Sequence, residues 1–426
     1  MRWSLVIAAL GLVAPAAAQI QEVTLDDAIR RALQVQPAMV EARGEARTAD
    51  AAMRASTGAF LPTVTTGGSW SRGGGTRFNA STNEIVDLPT NTSVQGSLSA
   101  SLEVFGGFRR FADRSASAAG QSAADAGLVN QRFQVTLQTK QVFYDVLARE
   151  DLVRVAEAQV RRAQQQLQIS VEKLRAGSAT RSDSLRGTVE YGNARIALLQ
   201  ARANLATAQA NLGRQVGVDA PVRAAPDTAL PPLPDTSGLR AGMTSTAPQV
   251  LQAEAQARAA GAQVGVTRAA YFPTISTSFS NSYSGSQWPW VSTQTFGEGW
   301  SLRLFLNWTL FNGFTRERQF TSAAVQRDLA EARAAETRRQ VSAQLTQQIA
   351  ALTTTFEQIT ISRSNVAAAT EDLRVQSERY RVGAATILDQ LTSQSALTTA
   401  EVNLVQARFN YLIARAQLEA LLGRSL

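Results

Sequence analysis

The chain is written twice, and that duplication restricts its fold more than any other feature. Ala59-Phe60-Leu61-Pro62-Thr63-Val64 returns as Ala270-Tyr271-Phe272-Pro273-Thr274-Ile275, and Val104-Phe105-Gly106-Gly107-Phe108 returns as Leu310-Phe311-Asn312-Gly313-Phe314. Lys173-Leu174-Arg175-Ala176-Gly177-Ser178-Ala179-Thr180 is matched by Arg379-Tyr380-Arg381-Val382-Gly383-Ala384-Ala385-Thr386, and Leu212-Gly213 by Leu422-Gly423. All of these landmarks recur in order, at a shift of 206 to 211 residues. Between the copies, residues 217–238 hold Pro221, Pro226, Pro231, Pro232 and Pro234, which a helix interior does not accommodate. This segment is the linker, leaving repeat 1 over residues 19–216 and repeat 2 over 239–426.

Each repeat reads as a helix, two strands and a long helical hairpin. Repeat 1 is predicted to form a helix over 25–57, strands near 60–71 and 93–105, a helix over about 107–176 and a return helix over about 181–215. Repeat 2 is predicted to form a helix over 239–269, strands near 271–283 and 299–311, and helices near 313–382 and 387–422. A helix of about seventy residues is on the order of 105 Å long, more than a compact globular domain needs.

The strands have two different faces. Val94, Leu98, Ala100, Leu102 and Val104 alternate with Gln95, Ser97, Ser99, Ser101 and Glu103. Trp300, Leu302, Leu304, Leu306, Trp308 and Leu310 oppose Ser301, Arg303, Asn307 and Thr309, with Phe305 as the exception. Tyr271, Ile275, Phe279 and Tyr283 oppose Thr274, Ser276, Ser278, Ser280 and Ser282. A soluble sandwich also alternates, but its outer face usually carries charges, and here no second sheet is available to cover the apolar side. The pattern points to a membrane barrel with a polar interior and aromatics near the strand ends. Lipid tolerates only closed sheets, so four strands per chain require several chains to share one barrel. Residues 72–92 and 284–298, rich in Gly, Ser, Asn and Thr, are expected to be the connections facing outward.

A heptad seam runs along the long helices. Val146, Arg149, Val153, Ala156, Val160, Ala163, Leu167, Ser170 and Leu174 follow a 3-4 spacing, and Leu352, Thr355, Ile359, Ser362, Val366, Ala369, Leu373, Gln376 and Tyr380 repeat it. The return helices continue it through Leu185, Val189, Gly192, Ile196, Leu199, Ala203 and Ala206, and through Leu391, Ser395, Thr398, Val402, Val405, Phe409 and Leu412. Narrow seams of this kind suit hairpins set side by side around a hollow cylinder. At the hairpin turns, Gly177 and Gly383 stand where a glycine cap ends a helix. Thr180 and Thr386, with Asp183 and Asp389 three residues on, then form T-x-x-D capping boxes. Those carboxylates serve either as caps alone or also as a ring at a pore mouth.

Composition narrows the chemistry. The chain has no histidine and no cysteine, which removes the commonest general base, the commonest zinc ligands and the thiol nucleophile. No acid, base and nucleophile converge, so no enzymatic activity, metal or cofactor is expected. Arg2, the apolar run from Leu5 to Val13 and Ala16-Ala17-Ala18 before Gln19 read as a signal peptide over residues 1–18, so the mature chain is expected to leave the cytoplasm. No later stretch has the roughly 18 to 20 apolar residues of a membrane helix. Without cysteine there is no site for an acyl anchor or a disulfide. The formal charge of +8 comes mainly from arginines spread along helices, with Lys140 and Lys173 the only lysines. That spread argues against a nucleic-acid partner. The competing class is a soluble periplasmic coiled-coil scaffold, which predicts extraction without detergent.

The motifs at the start of the strands (Phe60-Leu61-Pro62 and Tyr271-Phe272-Pro273), those at their end (Phe105-Gly106-Gly107 and Leu310-Phe311-Asn312-Gly313) and the glycine tips together resemble the TolC-type outer-membrane factor family over the whole mature chain. The resemblance implies a mostly α fold with a small membrane β-barrel: a homotrimer with a shared 12-stranded barrel, a periplasmic α-barrel and an equatorial belt formed by the linker and chain ends. It implies a passive exit duct of a tripartite efflux or type I secretion system in the outer membrane. The partners would be a periplasmic adaptor and an inner-membrane transporter of RND, ABC or MFS type. By the same resemblance, Ala176, Gly177, Ser178, Val382, Gly383 and Ala384 contact the adaptor, and Asp389 and Tyr380, with Asp183, belong to the network that closes the mouth. Where the family's prototype has an arginine and a further aspartate, this chain has Ala385 and Thr392, implying a differently built latch.

Overall fold

The computed structural model describes residues 21–226, 230–235, 246–286, 288 and 296–426. The signal peptide expected over residues 1–18 lies outside the described residues, as do parts of the linker and of the segment 284–298. In chain order the elements are β1 (Gln21–Val23), α1 (Leu25–Val35), α2 (Pro37–Gly58), β2 (Thr63–Asn79), β3 (Glu84–Gly106), α3 (Arg109–Arg175), α4 (Arg181–Val216), β4 (Val222–Ala224), α5 (Pro248–Arg268), β5 (Thr274–Gly285), β6 (Phe296–Asn307), α6 (Thr315–Arg381) and α7 (Ile387–Leu422). The single helix expected over 25–57 is two, because Pro37 has no N–H to donate and holds Gln36 in an extended conformation (φ −61°, ψ 129°).

The described residues fall into two compact units. One takes in those within Met1–Val40, Gln131–Ala241 and Gln344–Leu426; the other those within Glu41–Asn130 and Gly242–Ala343.

The first unit has a core of Val23, Phe143, Val146, Leu147, Leu212, Val216, Val222, Val405 and Phe409. Part of the linker is ordered against it: β4 pairs in parallel with β1, Gln21 opposite Val222 and Val23 opposite Ala224. Buried Gln215 donates to Thr139 Oγ1 at 3.0 Å, and Gln36 donates to the Gln215 carbonyl at 2.6 Å, which ties α3 to α4 and the end of α1 to α4. Tyr411, fully buried, shares its hydroxyl between the carbonyls of Pro231 and Pro232, each at 3.0 Å. Tyr411→Phe removes the donor from the Pro231 carbonyl and leaves that of Pro232 only Arg415 Nη1, at 3.4 Å. It should lower unfolding free energy by about 1–3 kcal/mol, read from denaturant melts of the detergent-solubilised protein.

The long-helix seams are where the spacing puts them. On α3, Ala156, Ala163 and Ser170 are buried at seven-residue intervals. On α6, every predicted position from Leu352 to Tyr380 is buried or half-buried, and nearly all its neighbours are exposed. The seam predicted on α4 is not buried. Leu185, Val189, Ile196 and Leu199 are 57%, 62%, 67% and 65% exposed. Gly187, Ala194, Ala208 and Leu212 are buried in its place. The reason is steric: a Cβ on Gly187 would already stand 3.4 Å from Leu167 Cα. The small-residue face approaches α3 closely, and the bulky aliphatic stripe turns outward. On α7 the predicted positions are mostly covered, and Gln390, Ser393, Gln394, Leu397 and Ala400 are buried as well. That helix has partners on two sides. Arg162 of α3 holds Glu401 with two bonds of 3.1 and 2.8 Å, and Ser393 donates to Asp372 of α6 at 2.5 Å.

The second unit contains a four-stranded antiparallel sheet in the order β2-β3-β5-β6. The first pair of strands runs well beyond the expected 60–71 and 93–105. Most of segment 72–92, expected to be a connection, is paired strand, from Arg72 opposite Thr92 to Asn79 opposite Glu84. Glycine and proline obscured this. Pro89 is accommodated because it falls at the register shift between Gly73 and Gly75, where the ladder is interrupted. In repeat 2, β6 ends at Asn307, so Trp308 and Leu310 lie past it.

Candidate functional site

Register fixes what each side of the sheet presents. One face carries the rows Val64–Ala100–Phe279–Leu302, Thr66–Leu98–Asn281–Trp300, Leu102–Thr277–Leu304 and Phe105–Ile275–Leu306. The other carries Thr63–Ser101–Ser278–Arg303, Thr65–Ser99–Ser280–Ser301 and Gly67–Ser97–Ser282–Gly299. Hydroxyls bond across the second of these polar rows, Thr65 to Ser99 at 2.7 Å and Ser280 to Ser301 at 2.9 Å. Leu302, Leu304, Leu306 and Trp300 are all exposed, so this part of the apolar face has no cover among the described residues. Phe305, the exception noted in the alternation, projects on the polar side, opposite Ser276.

The tips form as the spacing predicts. Gly177 and Gly383 have φ of 72° and 82°, a left-handed conformation suited to glycine. Ser178 N–H bonds the Lys173 carbonyl at 2.9 Å and Gly177 N–H that of Leu174 at 3.0 Å; Ala384 and Gly383 repeat the pattern with Arg379 and Tyr380 at 2.7 and 3.2 Å. These two bonds satisfy carbonyls that the helix end leaves without partners. Ala176, Gly177, Ser178, Val382, Gly383 and Ala384 are all exposed, so both turns present their backbones to solvent.

Asp183 and Asp389 form capping boxes. Each accepts from the backbone N–H of Thr180 or Thr386 at 2.9 Å, while the threonine hydroxyl accepts from the aspartate N–H at 3.3 Å. The hydrogen bond from the Thr386 hydroxyl, then that from its backbone, then the charge of Arg379 hold the Asp389 carboxyl below the usual carboxylate range. Its cap therefore stays ionised at neutral pH. What it contributes is complete above the usual carboxylate range and is lost as pH falls through the lowered value. Tyr380 is buried: its hydroxyl lies 3.3 Å from Ser170 Oγ, and Lys173 Nζ sits 4.3 Å from its ring centroid and donates to its carbonyl. Lys173 is the member of this cluster that sequence reasoning missed. Its signal was the scarcity of lysine, since Lys140 is also committed to a cross-repeat contact, with Glu419.

Among the described residues, no group of three or more Asp, Glu, His or Cys is placed to hold a metal. An open groove of about 890 Å³ runs between α6 and α7 past Asn365, Ala369, Asp372, Ser395 and Thr399.

Residues 28–218 and 243–424, one segment from each repeat, match the outer membrane efflux protein family. The chain belongs to that family. It is 24% identical over 404 residues to the outer membrane efflux protein BepC of Brucella suis, covering 94% of this chain and 85% of that one. It is 29% identical to the probable efflux pump outer membrane protein TtgC of Pseudomonas putida over 189 residues, 44% of this chain but only 38% of that relative. Among solved structures, the fold superposes on CusC with a TM-score of 0.80 at 18% identity, covering 94% of this chain and 92% of that one. It superposes on VceC of Vibrio cholerae with a TM-score of 0.77 at 18% identity, covering 94% and 96%. Outer membrane efflux proteins are a family of transport ducts and not of enzymes, and the outer membrane is the location of this chain.

Proposed function

We propose that the chain forms, as three copies, a passive exit duct of a tripartite efflux or type I secretion system, joined by a periplasmic adaptor and an inner-membrane transporter of RND, ABC or MFS type. The observation that carries this reading is the two-faced sheet. Its apolar side is uncovered among the described residues, and the outer edges of β2 and β6 pair with no other described strand. In hydrocarbon each unsatisfied backbone group costs several kcal/mol, so such a sheet is stable there only when its edges close on those of other copies. The outward aliphatic stripe on α4 supports the same association, and the names of BepC and TtgC support efflux. A soluble scaffold has no use for a sheet face of leucine and tryptophan.

The exposed tips at Gly177 and Gly383 are the adaptor contact in this proposal. Asp183, Asp389 and Tyr380 shape the mouth, the Oδ1 of each aspartate remaining available beyond its cap. Reconstitution in a planar bilayer tests the duct directly. Discrete conductance steps are expected, rising in Asp389→Ala if that carboxylate helps to close the mouth. A protein that washes out without detergent and gives no conductance would contradict the duct, and steps unchanged by the substitution would remove Asp389 from the gate.

A further inference from the structure

The polar face of the sheet is built mostly of small residues, and two successive positions of β6 on that face break the pattern. Its rows run Thr63–Ser101–Ser278–Arg303, Thr65–Ser99–Ser280–Ser301 and Gly67–Ser97–Ser282–Gly299, so Arg303 is the only charge in them. One step further along β6, Phe305 stands on the same face opposite Ser276 and is 51% exposed. Arg303 is exposed as well. Neither side chain fills a core, and the adjacent strand has serine at both matching positions, Ser278 and Ser276. A phenyl ring on a wet face forgoes the burial that makes such a ring stabilising elsewhere, so its place there calls for a use other than packing.

Neither Glu103 nor Glu298 neutralises the arginine. Glu103 shares the polar face, in the row of Ser276, but β5 lies between its strand and β6, which sets the two about 10 Å apart at ordinary strand spacing. Its carboxylate is folded back over the backbone of Gly106, in the place that a Cβ there would take. Glu298 pairs with Tyr283 on the opposite, apolar face and accepts from the Tyr283 hydroxyl at 2.8 Å. Size matters as much as charge. Barrels of about eight strands are filled by their inward side chains, and those of about sixteen keep an open channel. The barrel proposed for three copies of this four-stranded sheet falls between those limits. Serine and glycine leave a bore through it, and Arg303 and Phe305, met once per copy, narrow that bore. Rings of arginine favour the passage of anions, and an aromatic beside them offers a surface to the apolar body of such an anion.

We propose that Arg303 and Phe305, repeated around the lumen, form a selectivity ring: a cationic and aromatic constriction that favours anions carrying an apolar body. The inference rests on the exit-duct reading and adds to it the residues that choose among solutes inside the barrel. The test is single-channel recording of the full-length protein in a planar bilayer under a potassium chloride gradient. Arg303→Gln should move the reversal potential toward that of potassium, and Arg303→Glu further still, while Arg303→Lys leaves it in place. Charges at the mouth are common to wild type and variants, so the shift reports the barrel. Naphthalenesulfonate, an anion with an apolar body, should reduce the chloride current of wild type, with block several-fold weaker in Arg303→Gln and in Phe305→Ser. A reversal potential unmoved by Arg303→Gln and Arg303→Glu would overturn the proposal, as would block as strong in either Arg303→Gln or Phe305→Ser as in wild type. Loss of all conductance in Arg303→Gln and Arg303→Glu, with Arg303→Lys normal, would mark the arginine as a structural group and overturn it too. Wild-type protein that gives no conductance would instead sink the duct reading itself.

Discussion

Val189→Arg combined with Ile196→Arg should leave the chain helical and dissociate its assembly completely. Both residues are mostly exposed in the single chain, at 62% and 67%, so little intrachain packing is lost. In the proposed trimer they lie with Leu185 and Leu199 in a seam against another copy. Burial of each such aliphatic group contributes about 1.5–3 kcal/mol. Each arginine removes that term and must be desolvated without a partner if the seam is to close. Circular dichroism of the variant should match wild type while its native mass in detergent falls from three chains to one. A variant that still ran as three copies would show that the α4 stripe faces water or lipid and not a neighbour.

The second large effect is expected at the tips. Gly177→Asp with Gly383→Asp places carboxylates on both exposed turns. The local cost is bounded: a side chain at a left-handed position costs roughly 1–2 kcal/mol, and at neither glycine would an added Cβ meet anything within 4 Å. Fold, trimer and bilayer conductance should therefore survive. If an adaptor grips these turns, export by cells that depend on this duct should fall by about tenfold or more, each 1.4 kcal/mol of lost adaptor binding being a factor of ten. Gly→Asn at the same positions, better tolerated in that conformation, serves as the control for backbone strain. Undiminished export by the aspartate variant would place the adaptor contact elsewhere.

What was legible in the sequence was whatever a period or a repeated motif encodes. The seam from Leu352 to Tyr380 and the capping boxes at Thr180 and Thr386 are each set by side chains a few residues apart, and the structure has them as read. What the periodicity could not decide was direction. On α4 two heptad stripes coexist, one of Gly and Ala and one of Leu, Val and Ile. Hydrophobicity alone selects the second as buried. Helix proximity selects the first, because only small residues let α4 approach Leu167 so closely. Segment 72–92 misled for a related reason: in a sheet whose polar face is built largely of serine, threonine and glycine, glycine and threonine are ordinary strand residues, although elsewhere they mark loops.

The candidate site was partly legible. Gly177 and Gly383 announce their turns, but the surroundings of Tyr380 depend on Lys173 and Ser170, some 207 and 210 residues away, and no local pattern connects them. Asp183 and Asp389 illustrate the opposite limit. Their capping role is fully encoded by T-x-x-D, and any role at a pore mouth depends on other copies of the chain.

The central claim is that three copies share one barrel in the outer membrane. The most direct test is the native mass of the mature protein extracted in detergent from an outer-membrane fraction. Three chains are expected, in a particle that resists extraction by salt and alkali. A single chain recovered from the soluble periplasm would contradict it.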